Sequence, residues 1–239
     1  MRSQHPIPNR PSLRIAETFT SLQGEGALTG TKSHFIRTSG CNLRCWFCDT
    51  PYASWQPEGD GIEVQTLVQD AIRSGCQHVV LTGGEPMLPI QSVDLVASLR
   101  EAGMHVTIET AGTVYRDLTA DLMSISPKLA NSGPRDESDK WHRRHEKTRW
   151  RPDVIAKLIR SAVDYQIKFV IDNADDFNQC VTAVKQLMIP PDHVWIMPQG
   201  TDTVTLDQQA SWLSPLVTSK GYRYCDRMHV RWYGNRRGT

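Results

Sequence analysis

Short β-branched runs alternate with amphipathic stretches along this chain, and that alternation limits the possible folds more than any other feature. Segments 34–38 (HFIRT), 78–82 (HVVLT), 105–109 (HVTIE), 122–126 (LMSIS), 166–171 (QIKFVI) and 194–197 (VWIM) read as strands. The clearest helix is 63–74, where Val64, Leu67, Val68, Ala71 and Ile72 follow i, i+3, i+4, i+7, i+8 spacing. Asp60 is placed to cap its start and Gly75 to end it. Further helices are expected at 92–102, 175–187 and 206–219, and a last strand at 228–232. Strands alternating with helices imply an α/β fold on a parallel sheet, either a barrel or an open doubly wound sheet. Several strands end in polar or glycine-containing tips: Thr82-Gly83-Gly84-Glu85, Glu109-Thr110, Ser126-Pro127-Lys128 and Pro198-Gln199-Gly200. In a barrel those tips converge on the active face.

Composition narrows the function. With 239 residues and 39% hydrophobic content the chain can bury a core, which excludes wholesale disorder. Lys and Arg number 27 against 26 Asp and Glu, a net +1, which argues against a mainly electrostatic binder of nucleic acid or membrane. No apolar run approaches the roughly 20 residues that span a bilayer. The first fourteen residues, MRSQHPIPNRPSLR, hold no apolar stretch that could serve as a signal peptide. A cytoplasmic protein with reduced thiols is expected. Segment 131–153 breaks the rhythm: it is polar, rich in Arg and Lys, and carries Trp141 and Trp150. It reads as a long exposed loop or insertion in a single domain spanning 1–239. Basic residues interleaved with aromatics can contact RNA, although the overall charge balance weighs against it.

Six cysteines are present, and Cys41, Cys45 and Cys48 fall within eight residues. In a reducing compartment a tight triplet reads as a metal or cluster site. The Cys-x3-Cys-x2-Cys run follows a strand and precedes the first strong helix, so it belongs to a loop. A redox dithiol leaves Cys41 unexplained. Structural zinc normally takes four protein ligands, which would require a distant Cys or His. A 4Fe-4S cluster on three thiolates leaves one iron free for a small molecule. Cys76, Cys180 and Cys225 are scattered and read as buried small hydrophobes, and His78 and His105, which begin strands, as structural.

Here the sequence resembles the radical S-adenosylmethionine superfamily. The cysteine spacing matches its signature loop, Phe47 supplies the aromatic before the third cysteine, and Gly83-Gly84-Glu85-Pro86 follows a strand as that superfamily's GGEP motif does. Four further runs resemble one member family, 7-carboxy-7-deazaguanine synthase. They are Ser21-Leu22-Gln23-Gly24-Glu25-Gly26, Phe35-Ile36-Arg37-Thr38-Ser39-Gly40, Cys48-Asp49-Thr50 and the terminal Tyr233-Gly234-Asn235-Arg236-Arg237-Gly238-Thr239.

The resemblance implies a partial (β/α)6 TIM-like barrel with some helices trimmed, and a carbon–nitrogen lyase. Its substrate would be 6-carboxy-5,6,7,8-tetrahydropterin, and its products 7-carboxy-7-deazaguanine, a queuosine precursor, and ammonia. Cys41, Cys45 and Cys48 would hold the 4Fe-4S cluster. Phe47, Cys48, Asp49, Gly84, Ser126, Pro127, Lys128 and Gln199 would meet S-adenosylmethionine. Thr50 would bind Mg2+; without the resemblance it reads as a turn cap before Pro51. Leu22, Gln23, Gly24, Glu25, Arg37, Thr82 and the terminal carboxylate of Thr239 would meet the pterin, with Arg37 suited to its carboxylate. An electron donor such as flavodoxin or ferredoxin and a homodimer are implied as partners. Two alternatives stand beside this reading: a glycyl-radical-enzyme activase of the same superfamily, and a zinc-dependent RNA-binding module.

Overall fold

The computed structural model describes residues 11–239. Most of the stretch read for a signal peptide, residues 1–10, lies outside the described residues. Nine strands form one sheet in the order β3-β1-β2-β4-β5-β6-β7-β8-β9. Strands β2 (Lys32–Thr38), β4 (His78–Gly83), β5 (His105–Thr110), β6 (Leu122–Ile125), β7 (Asp164–Ile171) and β8 (Val194–Pro198) are all parallel, and the two-residue β9 (Arg223–Tyr224) extends the row. This is the parallel α/β sheet expected from the alternation, and it is consistent with the partial barrel that the resemblance implies. Helices α2 (Val64–Arg73), α3 (Ser92–Glu101), α6 (Ala174–Leu187) and α7 (Thr203–Ser219) cover it, while the 111–121 connection between β5 and β6 carries no helix.

The strands read as nearly continuous apolar runs because both faces are covered. Val79, Leu81, Val106, Ile108, Met123, Ile125, Ile167, Phe169 and Ile196 are essentially without solvent contact. Helix α2 packs Val64, Leu67, Val68 and Ala71 onto the sheet. Each larger apolar side chain buried this way contributes roughly 1.5–3 kcal/mol. The α2 helix ends at Gly75, whose φ of +67° places it in the left-handed region.

Three sequence expectations are corrected. Asp60 does not cap α2. It starts β3 (Asp60–Glu63), an edge strand paired antiparallel with β1 (Ser12–Leu22), and the α2 N-cap is Glu63 with no side-chain cap. Neither β1 nor β3 was expected, since β1 mixes polar residues along its length. Segment 228–232 forms a helix, α8 (Met228–Tyr233), in place of a strand. A five-residue window does not separate the two periods, and the Met228 N–H is drawn to the Gly24 carbonyl at 2.9 Å. The expected loop at 131–153 contains helix α4 (Lys140–Thr148) and the start of α5 (Pro152–Ser161). Asp139 caps α4 by accepting from the Trp141 N–H at 2.8 Å. The helix lacks an apolar stripe because a single fully buried side chain, His145, anchors it.

Among the described residues no helix is long and apolar enough to cross a membrane. Cys76, Cys180 and Cys225 are buried, and His78 packs on His105 with ring centroids 4.5 Å apart.

Candidate active site

The C-terminal ends of the parallel strands open on a cavity of about 520 Å³. Its floor is a polar layer set by strand register. Arg37 on β2 lies beside Thr82 on β4, Glu109 on β5 beside Ser124 on β6, and Ser124 beside Gln166 on β7. Lys168 is two residues beyond Gln166, on the same face of β7. Its buried ammonium lies 3.0 Å from Glu25 Oε2 and 2.9 Å from Glu109 Oε1. Burial works against that charge, but the Glu109 and Glu25 carboxylates outweigh it and hold the Lys168 pKa above the ordinary value. Burial likewise works against Glu25, yet Lys168, Arg227 and His229 hold its carboxyl well below the usual range. Both partners therefore stay ionised at neutral pH.

The loop after β2 carries the cysteines. Cys41, Cys45 and Cys48 all line the cavity, and among the described residues no fourth cysteine does. Burial pushes the Cys41 and Cys45 thiols up to about 12, so loading a metal there must displace protons. No three Cys, His, Asp or Glu side chains among the described residues converge on a point that one ion could occupy. Three thiols spread along one loop suit separate irons of a cluster better than a single zinc.

GGEP clamps this loop from below. The Gly84 N–H donates to the Thr38 carbonyl and the Glu85 N–H to the Gly40 carbonyl, at 3.0 and 2.9 Å. A methyl at Gly84 would stand 2.1 Å from the Gly40 carbonyl oxygen and 2.5 Å from that of Ala53. Glu85 is fully buried and points away from the cavity. It accepts from Thr110 Oγ1 at 2.7 Å, the Ala111 N–H at 2.9 Å and the Met87 N–H at 3.0 Å, which fixes the β5 tip.

The chain's ends complete the walls. Gly24 touches α8, where a side chain would meet His229 at 2.5 Å. Gln23 turns its amide to Ser33 Oγ at 2.9 Å, so it faces the cavity with backbone. Asn235, Arg236, Arg237 and Thr239 line the cavity, and Arg237 is bonded to Glu17 at 3.2 Å and Glu58 at 2.9 Å.

Residues 35–175 match the Radical SAM superfamily. The chain is 54% identical over 230 residues to a 7-carboxy-7-deazaguanine synthase of Rhodopirellula baltica, covering 95% of this chain and 89% of that one. It is 42% identical to a 7-carboxy-7-deazaguanine synthase of Halobacterium salinarum, covering 92% and 90%. The chain belongs to the 7-carboxy-7-deazaguanine synthase family. QueE from Escherichia coli superposes with a TM-score of 0.67 at 22% identity over 91% of this chain and 95% of that one, a likeness of fold.

Of the site residues read from the sequence for this family, all but Pro127 line the one cavity; Pro127 is buried behind it. Thr50 occupies the N-cap position of the short helix α1 (Pro51–Ser54), but its side chain makes no capping bond, and its hydroxyl pairs with Cys48 Sγ at 3.7 Å. Arg37 gives its Nε to Glu17 Oε1 at 2.7 Å, which leaves its outer nitrogens toward the cavity. Sequence reading missed Lys168, Arg227, His229 and Tyr52, all on the wall, and it took Glu109 only as part of a strand tip. A lysine inside an otherwise apolar strand was the available signal for Lys168. His229 lies in a segment read as a strand and Arg227 just before it, with no local mark.

Proposed function

We propose that this enzyme converts 6-carboxy-5,6,7,8-tetrahydropterin to 7-carboxy-7-deazaguanine with loss of ammonia, using a 4Fe-4S cluster on Cys41, Cys45 and Cys48. The observation that carries this is the opening of three cysteines, of Leu22–Glu25 and, from the far end of the sequence, of Arg236 and Thr239 onto one cavity. When bound, the reduced cluster and S-adenosylmethionine would supply radical chemistry toward the pterin.

The chain's own residues bind and orient. Backbone around Phe47–Asp49, together with Gly84, Ser126, Lys128 and Gln199, faces the side of the cavity assigned to S-adenosylmethionine. Lys128 Nζ donates to Ser126 Oγ at 2.7 Å, so the two act as one polar unit. Arg37, held by Glu17, presents two donors to the substrate carboxylate. The hydroxyl of Thr50 is the ligand proposed for Mg2+, which accepts few protein oxygens and keeps its waters. Leu22, Gln23 and Gly24 offer backbone to the pterin edge, Glu25 its remaining lone pairs, and Thr82 a hydroxyl. Lys168 holds Glu25 ionised and lies 2.9 Å from Glu109, which gives the floor a fixed charge pattern. Thr239 and the tail close the mouth against water. The Leu22–Glu25 turn and the tail residues Asn235, Arg236, Arg237 and Thr239, which line the cavity, do not favour the activase alternative. The same reading makes the enzyme a cytoplasmic homodimer served by an external one-electron donor.

The test is turnover by anaerobically reconstituted protein supplied with S-adenosylmethionine, Mg2+, dithionite and carboxytetrahydropterin. The expected result is 7-carboxy-7-deazaguanine by mass spectrometry. An intact, reducible cluster that leaves the pterin unchanged would overturn the proposal.

A further inference from the structure

The outer face of α4 has no part in the site. Lys140, Arg143, Arg144 and Lys147 follow i, i+3, i+4, i+7 spacing, so they share one side of the helix, and all four are exposed. The helix's one acid, Glu146, is taken by Arg149 at 2.8 Å. Asp136 is bonded to Ser138 at 2.6 Å, and Asp139 caps the helix start. Among the described residues none of the four cations has a carboxylate partner.

This basic face is joined to the cysteine loop by a run of alternating cations and indoles. The Arg144 guanidinium lies 5.0 Å from the Trp141 ring centroid, Arg44 lies 4.0 Å from that ring, and Arg44 also lies 5.9 Å from the Trp55 ring. Trp55 is 36% exposed, and its indole N–H donates to the Cys45 carbonyl at 3.0 Å. The Arg44 N–H, next to Cys45 in the chain, donates to His145 Nδ1 of α4 at 3.1 Å. None of Arg44, Trp55 and Trp141 lines the cavity. The run therefore reaches the cysteine loop from outside the barrel, away from the space assigned to cofactor and substrate.

We propose that the α4 basic face and the adjoining Trp55 form the docking surface of an acidic one-electron carrier protein, which reduces the cluster from the Cys45 side. The inference rests on the reading given under Proposed function. In the step the carrier loses one electron and the cluster gains it; no bond is made or broken. Charge complementarity selects the partner: four uncompensated cations on one face steer an acidic protein into a small, fast, salt-sensitive encounter. The rings argue against RNA, because base stacking needs free ring faces. Trp141 is flanked by Arg44 and Arg144, and Trp46 is covered by Arg135 at 3.8 Å.

The test uses the reconstituted enzyme and reduced flavodoxin as the probe. The variant is Arg143→Glu with Arg144→Glu and Lys147→Glu, and the control Arg73→Glu with Lys185→Glu reverses charge elsewhere. Stopped-flow absorbance reads cluster reduction, and calorimetry reads binding. At low salt the α4 variant should be reduced by flavodoxin about tenfold more slowly and bind it more weakly, while the control matches wild type. The gap should narrow at about 0.5 M salt. Dithionite-driven turnover should be unchanged in all three proteins. Equal flavodoxin rates for variant and wild type would overturn the proposal, as would an equal loss in the control. So would a variant that loses affinity for an RNA oligonucleotide but keeps its flavodoxin rate. Failure of the wild type to turn over with dithionite would strike the functional reading alone, since the binding titration still decides the surface.

Discussion

Arg227 donates from Nη2 to the Asp49 carboxylate and so ties the cysteine loop to a segment 178 residues further along the chain. Its Nη1 donates to the Gly200 carbonyl at 2.7 Å and its Nε to Glu25 at 3.4 Å. One planar side chain thus joins the cysteine loop, the β8 tip and the Glu25 turn. Arg227→Ala should cost about 1–3 kcal/mol, because it removes a buried guanidinium's donors from Glu25 and Gly200, while Asp49, 38% exposed, is left to water. Arg227→Lys should recover only part, since an ammonium lacks the rigid fork. Urea unfolding measures both; an unchanged midpoint for the alanine variant would contradict the role.

Lys168 and Glu109 should be coupled. Lys168→Met leaves two carboxylates facing each other across the cavity floor, whereas Lys168→Met with Glu109→Gln relieves one of them. The double variant should lose about 1–3 kcal/mol less than the sum of the single losses. A thermodynamic cycle from denaturant melts gives this number directly, and additivity would show that the pair does not interact.

Gly84→Ala should displace the cysteine loop. Its methyl meets backbone oxygen of Gly40 and Ala53, which cannot swing aside as a flexible side chain would. Strain of about 1–3 kcal/mol is expected, with Tm lowered by roughly 2–4 °C for each kcal/mol. Iron bound per chain after reconstitution should fall too. Full iron content with a native Tm would refute the close approach.

His145 should give the fold an acid-sensitive brace. Burial lowers its pKa from 6.5 to about 4, and the ring's Nδ1 accepts from the Arg44 N–H while Nε2 lies 2.9 Å from Ser132 Oγ. The folded state binds this proton less readily than the unfolded chain does. The contribution is therefore complete above pH 6.5 and is lost as pH falls toward 4. Wild type should lose about 2 kcal/mol more than His145→Asn between pH 7 and pH 4.5, because asparagine supplies the acceptor without titrating. Parallel stability profiles would contradict this.

The barrel was legible because its strands and most of its helices carry strong local patterns: Val79–Leu81 and Phe169–Ile171 are apolar throughout, and α2 repeats on one face. The cysteine loop and GGEP were legible because each is a contiguous run. What escaped the sequence is what distance in the chain conceals. Arg227 has no local mark, since its partners lie at Asp49, Glu25 and Gly200. Helix α4 escaped because its regularity is one of charge, with His145 alone buried. The strand at Asp60–Glu63 escaped because only pairing with Ser12–Ile15 makes it one.

The central claim is that Cys41, Cys45 and Cys48 hold a four-iron cluster with one iron open to S-adenosylmethionine. Electron paramagnetic resonance of the reconstituted, reduced enzyme, recorded before and after S-adenosylmethionine is added, tests it most directly. The account predicts a reduced 4Fe-4S spectrum whose g values move on addition and which disappears in Cys45→Ala. A spectrum indifferent to S-adenosylmethionine, or protein that takes up one zinc per chain in place of iron, would contradict it.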